Sequence, residues 1–174
     1  MFEDRAQQIV ALLPRLRRFA YSLTGSRDEG DDLVQAACER ALGRLHQWQP
    51  GTRLDSWMFR IVQTTWIDRL RARRVRGEDP LPEAAHAIVG EDGRKVTEVR
   101  LTLKRVRDAM QKLPDDQRAV LVLVSIDGLS YREAADVLDI PVGTIMSRLA
   151  RARRRLHELM HESKVVAFAR PAHQ

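Results

Sequence analysis

The stretch GEDPLPEAAHAIVGEDG, residues 77–93, holds two prolines, three glycines and five acids, and it carries no sustained apolar period. Proline removes a backbone donor and glycine weakens a helix, so such a segment predicts a linker rather than an element. It divides the 174 residues into one region near 1–76 and another near 96–162. Each is large enough for only a modest core. The expected organisation is a first domain over 1–76, a flexible acidic linker over 77–95, a second domain over 96–162 and a tail over 163–174, in which no pattern is readable.

Both regions show helical periodicity. Ile9, Leu12, Leu13, Leu16, Phe19, Ala20 and Leu23 recur at the spacing of one helix face, closed by Gly25 and Ser26. A second helix, from about Asp28 to Leu45, places Val34, Ala37, Cys38, Ala41 and Leu45 on one side and acids in its first turn. After the turn QPGT (49–52) a third follows, with Leu54, Trp57, Met58, Ile61, Val62 and Thr65 facing inward. Beyond the linker, Val99, Leu103, Val106 and Met110 define a helix that stops before Pro114, and Asp115 is the expected N-cap of the next. No strand candidate is present, so the expected class is all-α, in two small bundles.

Composition narrows the partners. Lys and Arg number 30 against 24 acids, a net charge of +6, and Arg supplies nearly all of the positive charge. A forked guanidinium suits phosphates and guanine edges, so a polyanion is the expected partner. The single Cys38 excludes an internal disulfide, and with no secretory leader and no apolar run long enough for a bilayer, the expected location is the cytoplasm, without membrane insertion.

The most informative segment is LSYREAADVLDIPVGTIMSRLARARRRLHELM. Ser130 caps a short helix carrying Ala134, Ala135 and Leu138, DIPVG makes a tight turn, and a longer basic helix runs to about Met160. That is the outline of a helix-turn-helix. In the long helix Val142, Ile145, Leu149, Ala152 and Leu156 form an apolar stripe, and Thr144, Ser147, Arg148, Arg151 and Arg155 form a polar one about a third of a turn away. A solvated charged face is the plain alternative. However, no acid lies between Asp139 and Glu158 to neutralise it, so the polar stripe is expected to contact DNA. The same helix ends in His157-Glu158-Leu159-Met160-His161, a formal match to the zinc-protease motif HExxH. A third ligand held by a surrounding fold is needed, and the only downstream histidine is His173 in a Pro-containing tail. No metal, no cofactor and no catalytic group is therefore expected.

The third helix ends in Arg69, Arg71, Arg73, Arg74 and Arg76 and carries Trp57 and Trp66. Favourable charge at a helix C-terminus explains the arginines, while aromatic rings beside arginines also suit unstacked bases. Trp57 falls on the apolar face and is expected in the core; Trp66 lies at its edge. The acidic start RDEGDDLVQ lacks calcium-loop spacing and is equally explained by helix-start complementarity or by a protein-binding face.

Three stretches carry a family resemblance. DGLSYREAADVLDIPVGTIMSRLARARRRL (127–156) resembles the fourth conserved region of the sigma-70 family of RNA polymerase sigma factors, in its extracytoplasmic-function branch. RDEGDDLVQAACERAL (27–42) is similar to that family's core-polymerase-binding segment, and LDSWMFRIVQTTWIDRLRARRVR (54–76) to its promoter-melting helix. The resemblance implies a bacterial initiation factor whose first domain binds the polymerase clamp and the melted −10 element. Its second domain would bind the flap and the −35 duplex, and the linker would thread the polymerase. Asp32, Leu33 and Gln35 would face the clamp, and Thr144, Ser147, Arg148, Arg151 and Arg155 would serve the −35 element. Within 60–71, Arg60, Gln63, Thr64, Trp66, Asp68 and Arg71 would handle the −10 strand. An anti-sigma factor is the implied controlling partner. The chain departs from the family pattern at Ala36 and Cys38 in the clamp segment, at Thr64 where Asn is frequent, and at Met146 where a basic residue is frequent. A stand-alone helix-turn-helix repressor or activator is the rival from another class; it leaves the acidic helix and the tryptophan-bearing basic helix unexplained.

Overall fold

The structure, a computed structural model, describes the backbone over 2–78 and 98–168 and the side chains over 5–78 and 101–161. The expected linker from residue 79 onward and the end of the tail lie outside the described residues. Within them the chain is helical, with no strand.

The helices α1 (Phe2–Thr24), α2 (Arg27–Gly43) and α3 (Leu54–Val75) pack against one another as the first bundle, and a short 3-10 turn (Leu45–Gln47) follows α2. Leu16, Phe19, Ala20, Leu33, Ala37, Met58, Phe59 and Val62 make its centre. The Phe19 and Phe59 rings meet edge to face at 5.3 Å, an arrangement that contributes about 0.5–1.5 kcal/mol beyond area burial. Pro14 lies inside α1 on its exposed side, so the carbonyl one turn earlier, on exposed Val10, can be satisfied by water. Ser26, rather than closing α1, caps α2 by accepting from the Glu29 N–H at 3.4 Å. Gly30 permits the α1–α2 approach: a Cβ there would lie 3.2 Å from the Tyr21 backbone nitrogen.

The second bundle comprises α4 (Glu98–Gln111), α5 (Asp115–Leu121), a π-helical turn continuing it (Val122–Ile126), α6 (Tyr131–Leu138) and α7 (Val142–Phe168). The expected N-cap of α5 shifts by one residue: Pro114 occupies it, and Asp115 is the first helical residue, paired with Arg118 at 2.5 Å. For α6 the local code is complete. Ser130 Oγ accepts from the Glu133 N–H at 3.2 Å and Glu133 Oε2 accepts from the Ser130 N–H at 2.7 Å, a reciprocal capping box. Asp139 ends α6 in the left-handed region, φ 54°, a conformation that a short polar side chain tolerates. Ile145, Leu149 and Ala152 of α7 are buried against α4, α5 and α6.

The two bundles pack together: α1 contacts α5, and α3 contacts α6. Arginines join them. Arg15 reaches both Asp55, at 2.9 Å, and Asp127, at 3.3 Å; Arg18 also pairs with Asp127. Arg53 bridges Asp55 at 2.6 Å and Glu133 at 2.5 Å. The buried Arg118 guanidinium donates across the junction to the Ser22 carbonyl. Burial pushes the Asp55 carboxyl up, but hydrogen bonds from Arg53, Arg15 and the Ser56 N–H outweigh it and hold the group at about 2. Burial pulls the Arg118 guanidinium down from its ordinary range, opposed by Asp115.

Candidate nucleic-acid interface

The long helix α7 meets the core through Ile145, Leu149, Ala152 and Leu159. At about 100° per residue, the residues of the expected polar stripe are not equivalent. Thr144 and Arg148 sit on the flank and are half-buried, whereas Ser147, Arg151 and Arg155 are exposed. Arg148 Nε lies 3.1 Å from the Asp116 carboxylate of α5. Arg151 is braced one turn on from Ser147, donating to its carbonyl and to its Oγ, each at 3.3 Å. Arg155 pairs with Glu158 at 3.1 Å. The other flank carries Met146 and Ala150, and Arg154 lies roughly opposite the core, all exposed and none of them in the expected stripe, while Val142 of the expected apolar stripe is 39 % exposed. Rotating from Ile145 and Leu149 by about a quarter to a third of a turn in the other sense would have found Met146 and Ala150.

The α3 residues separate more sharply. Arg60, Thr64 and Arg71 are exposed and lie within about 40° of one another around the helix, so they share one face. Gln63 is half-buried with its Oε1 buried and unpartnered, and Asp68 pairs with Arg40 at 2.8 Å. Trp66 is 6 % exposed. Arg73 covers its ring at 5.6 Å and is itself paired with Glu29. The tryptophans thus exchange the expected places, Trp66 in the core and Trp57 half-buried, and Phe59 joins the buried face beside Met58. As placed, Trp66 supports the helix from within and offers no ring to a base.

On α2, Asp32 and Gln35 are exposed beside Arg69, Arg73 and Arg76 of α3, lining a concavity of about 560 Å³. Arg69 donates to the Asp32 carbonyl at 3.0 Å. Leu33 is 0 % exposed and belongs to the core, so its place is behind this surface rather than on it. A second groove, about 620 Å³, opens between α1 and α4. The expected apolar face of α4 contributes Leu103, Val106 and Met110 to it, opposite Tyr21, Val122 and Ile126, and Arg17, Arg18, Arg27 and Arg107 rim it. Leu103 is accordingly exposed rather than packed inward.

The His157 and His161 rings lie 4.1 Å apart, with Glu158 engaged by Arg155. Among the described residues no three His, Cys, Asp or Glu side chains are grouped to hold a metal ion, and no helix is long and apolar enough to cross a membrane. His173 lies outside the described residues.

Comparison with known proteins matches both halves. The family model "Sigma-70, region 4" matches residues 103–156, and "Sigma2 domain of PhyR" matches residues 9–63. The ECF RNA polymerase sigma factor EcfG of Rhodopseudomonas palustris is 40 % identical over 153 residues, covering 88 % of this chain and 83 % of that protein. Among solved structures, the sigma factor RpoE in complex with the anti-sigma factor NepR from Bartonella quintana aligns with a TM-score of 0.77 at 30 % identity. That alignment covers 91 % of this chain and 98 % of RpoE. CnrH in complex with the cytosolic domain of CnrY aligns at 0.63 and 29 % identity, covering 90 % and 87 %. Matches in this order account for the N-terminal half as well as the helix-turn-helix, which a stand-alone regulator or a zinc hydrolase does not.

Proposed function

The chain belongs to the extracytoplasmic-function sigma factors of the sigma-70 family, non-enzymatic initiation factors that direct RNA polymerase to promoters, and from that premise we propose which of its surfaces makes each contact. The observation that carries the assignment is the exposed face of α7. It projects Ser147 and Arg151 away from the bundle beside a tight helix-turn-helix, where the early turns of such a helix reach base edges. Thr144, Ser147, Arg148 and Arg151 read the −35 element, and Arg155 meets phosphate. The α3 face of Arg60, Thr64 and Arg71 tracks the −10 strand, with Gln63 and Asp68 at its margins and Trp66 as its internal support. Asp32 and Gln35 meet the polymerase clamp, with Leu33 anchoring their helix, and the second domain meets the flap.

The domain boundaries in this proposal are 1–76 for the first domain, 77–95 for the linker, 96–162 for the second domain and 163–174 for the tail, into which α7 continues as far as Phe168. The arginine-rimmed groove between α1 and α4 suits an amphipathic acidic helix, and an anti-sigma factor is its occupant in this proposal, supported by the NepR and CnrY complexes of the similar proteins. The site of action is the cytoplasm. The test is transcription in vitro by core polymerase plus this protein over a promoter library randomised at the −35 and −10 elements. The expected result is enrichment of one sequence at each element, with the −35 sequence altered by α7 substitutions and the −10 sequence by α3 substitutions. Enrichment independent of α7 would remove the −35 assignment.

A further inference from the structure

Three apolar residues interrupt the arginine-rich exposed surface of α7. Met146 is 54 % exposed and Val142 39 %; Ala150 is also exposed. They are spaced i, i+4 and i+8, so they form one continuous ridge along the helix. Around the helix Met146 and Ala150 lie about a quarter to two-fifths of a turn from Ile145, on the flank opposite to Thr144, Arg148 and Arg151, and Val142 borders Leu149 at the edge of the apolar stripe. Single exposed apolar side chains are ordinary. A ridge of three on the early turns of a helix that otherwise presents Arg151, Arg153, Arg154 and Arg155 is a different matter, because its neighbours on that face are groups suited to phosphates and bases.

The major groove offers an apolar residue one distinctive partner, the C5-methyl group of thymine. Methionine is unbranched and can fit its thioether end to such a group with little strain. From the ridge we infer that Met146, flanked by Val142 and Ala150, reads a thymine methyl in the −35 element and is a specificity-determining residue of this protein. The neighbouring Ser147 and Arg151 supply the polar half of the same readout, so the recognised sequence pairs a position chosen by charge with one chosen by an apolar contact. The inference rests on α7 being the −35 reader.

The test uses holoenzyme assembled from core polymerase and full-length protein. A −35 sequence selected from a randomised library is rebuilt with deoxyuridine in place of each thymine, one position and one strand at a time, and promoter occupancy is measured. Deoxyuridine keeps every hydrogen-bonding group of thymine and lacks only the methyl. With the natural protein, one substitution is expected to lower occupancy about fourfold, the equivalent of ~0.8 kcal/mol for one buried methyl-sized group. Met146→Leu retains that sensitivity. Met146→Ala, at an exposed helical position where alanine is well tolerated, abolishes it: thymine and deoxyuridine templates become equal. Three outcomes overturn the inference: a selected −35 element with no thymine on either strand, occupancy indifferent to deoxyuridine at every position, or an unchanged deoxyuridine effect in Met146→Ala. A uniform loss with Met146→Ala on all promoters, without any change in methyl sensitivity, also overturns it and points to a protein contact. Arg151→Ala separates the two levels. If it shifts the selected sequence while methyl sensitivity is absent, α7 reads the element without Met146. If neither responds, α7 is not the reader and the inference falls with it.

Discussion

Arg148 Nε lies 3.1 Å from the Asp116 carboxylate, tying the second turn of α7 to the start of α5. A guanidinium so held points along the flank of the helix-turn-helix, and its partner carries the charge that DNA would otherwise supply. Asp116→Asn releases it. The expected effect is tighter promoter binding with a salt dependence steeper by about one unit, as for one added phosphate contact. Arg148→Ala is expected to cut transcription and flatten −35 preference, with about 1–3 kcal/mol lost if a base contact is removed. Filter binding at several salt concentrations, followed by library transcription, checks both. Identical salt slopes for Asp116→Asn and the natural protein would show that Asp116 does not hold Arg148 back from a phosphate.

Arg151 and Arg155 sit one turn apart on α7, both exposed, and are expected to differ in kind. Arg151→Ala relaxes the −35 preference at one position; Arg155→Ala lowers activity on every promoter with preference kept and the salt slope reduced by about one unit. If both variants retain a sharp selected sequence, base readout lies elsewhere on the helix.

Asp32 and Leu33 are adjacent in sequence and opposite in exposure. Asp32→Arg is expected to weaken association with core polymerase while the melting temperature stays near that of the natural protein. Leu33→Ala should instead destabilise the first bundle by about 2–5 kcal/mol through the cavity it leaves. Core affinity from fluorescence titration and stability from urea unfolding distinguish them. Unchanged core affinity in Asp32→Arg takes this face out of the polymerase contact.

The Asp55 carboxyl is held at about 2, below the ordinary 3.8, chiefly by Arg53 and Arg15 acting against burial. A carboxyl whose folded value is depressed binds fewer protons folded than unfolded, so its stabilising contribution is complete above about pH 4 and is lost as pH falls through about 2. Asp55→Asn is expected to lower stability at neutral pH and to flatten the acid limb between those values. Melting temperatures of the two proteins across that range provide the check; parallel acid limbs would assign the sensitivity to other carboxylates.

The His157–Glu158–His161 run should remain a helix end rather than a metal centre. The purified protein is expected to carry no stoichiometric zinc, and His157→Ala should leave transcription nearly intact, as measured by elemental analysis and promoter assays. One tightly held equivalent of zinc, lost on that substitution, would contradict the assignment of α7 to DNA alone.

The features written in the chain are local. Helical class follows from apolar spacing, and the helix-turn-helix follows from Ser130, Glu133, Asp139 and Pro141, whose backbone preferences act within a few residues and need no distant partner. The apolar stripe of α7 was legible for the same reason at Ile145, Leu149 and Ala152, whereas Arg60, Thr64 and Arg71 of α3 were singled out by the family resemblance, together with Gln63, Trp66 and Asp68, which lie off their exposed face. Tertiary structure alone decided where the margins of each face fall. Trp66 is covered because Arg73 and the packing of α3 close over it, while Trp57 on the nominal core face is left half-buried. The periodic face of α4 opens onto a groove because Ala109, not Leu103, is the α4 side chain buried in the core. Arg148 acquires Asp116, Arg53 acquires Glu133 and Arg118 acquires the Ser22 carbonyl across separations of 32, 80 and 96 residues. Hydrophobic period depends on rotation about one helix axis and is written in the chain. A margin or an ion pair depends on which second helix arrives there, and only the packed fold specifies that.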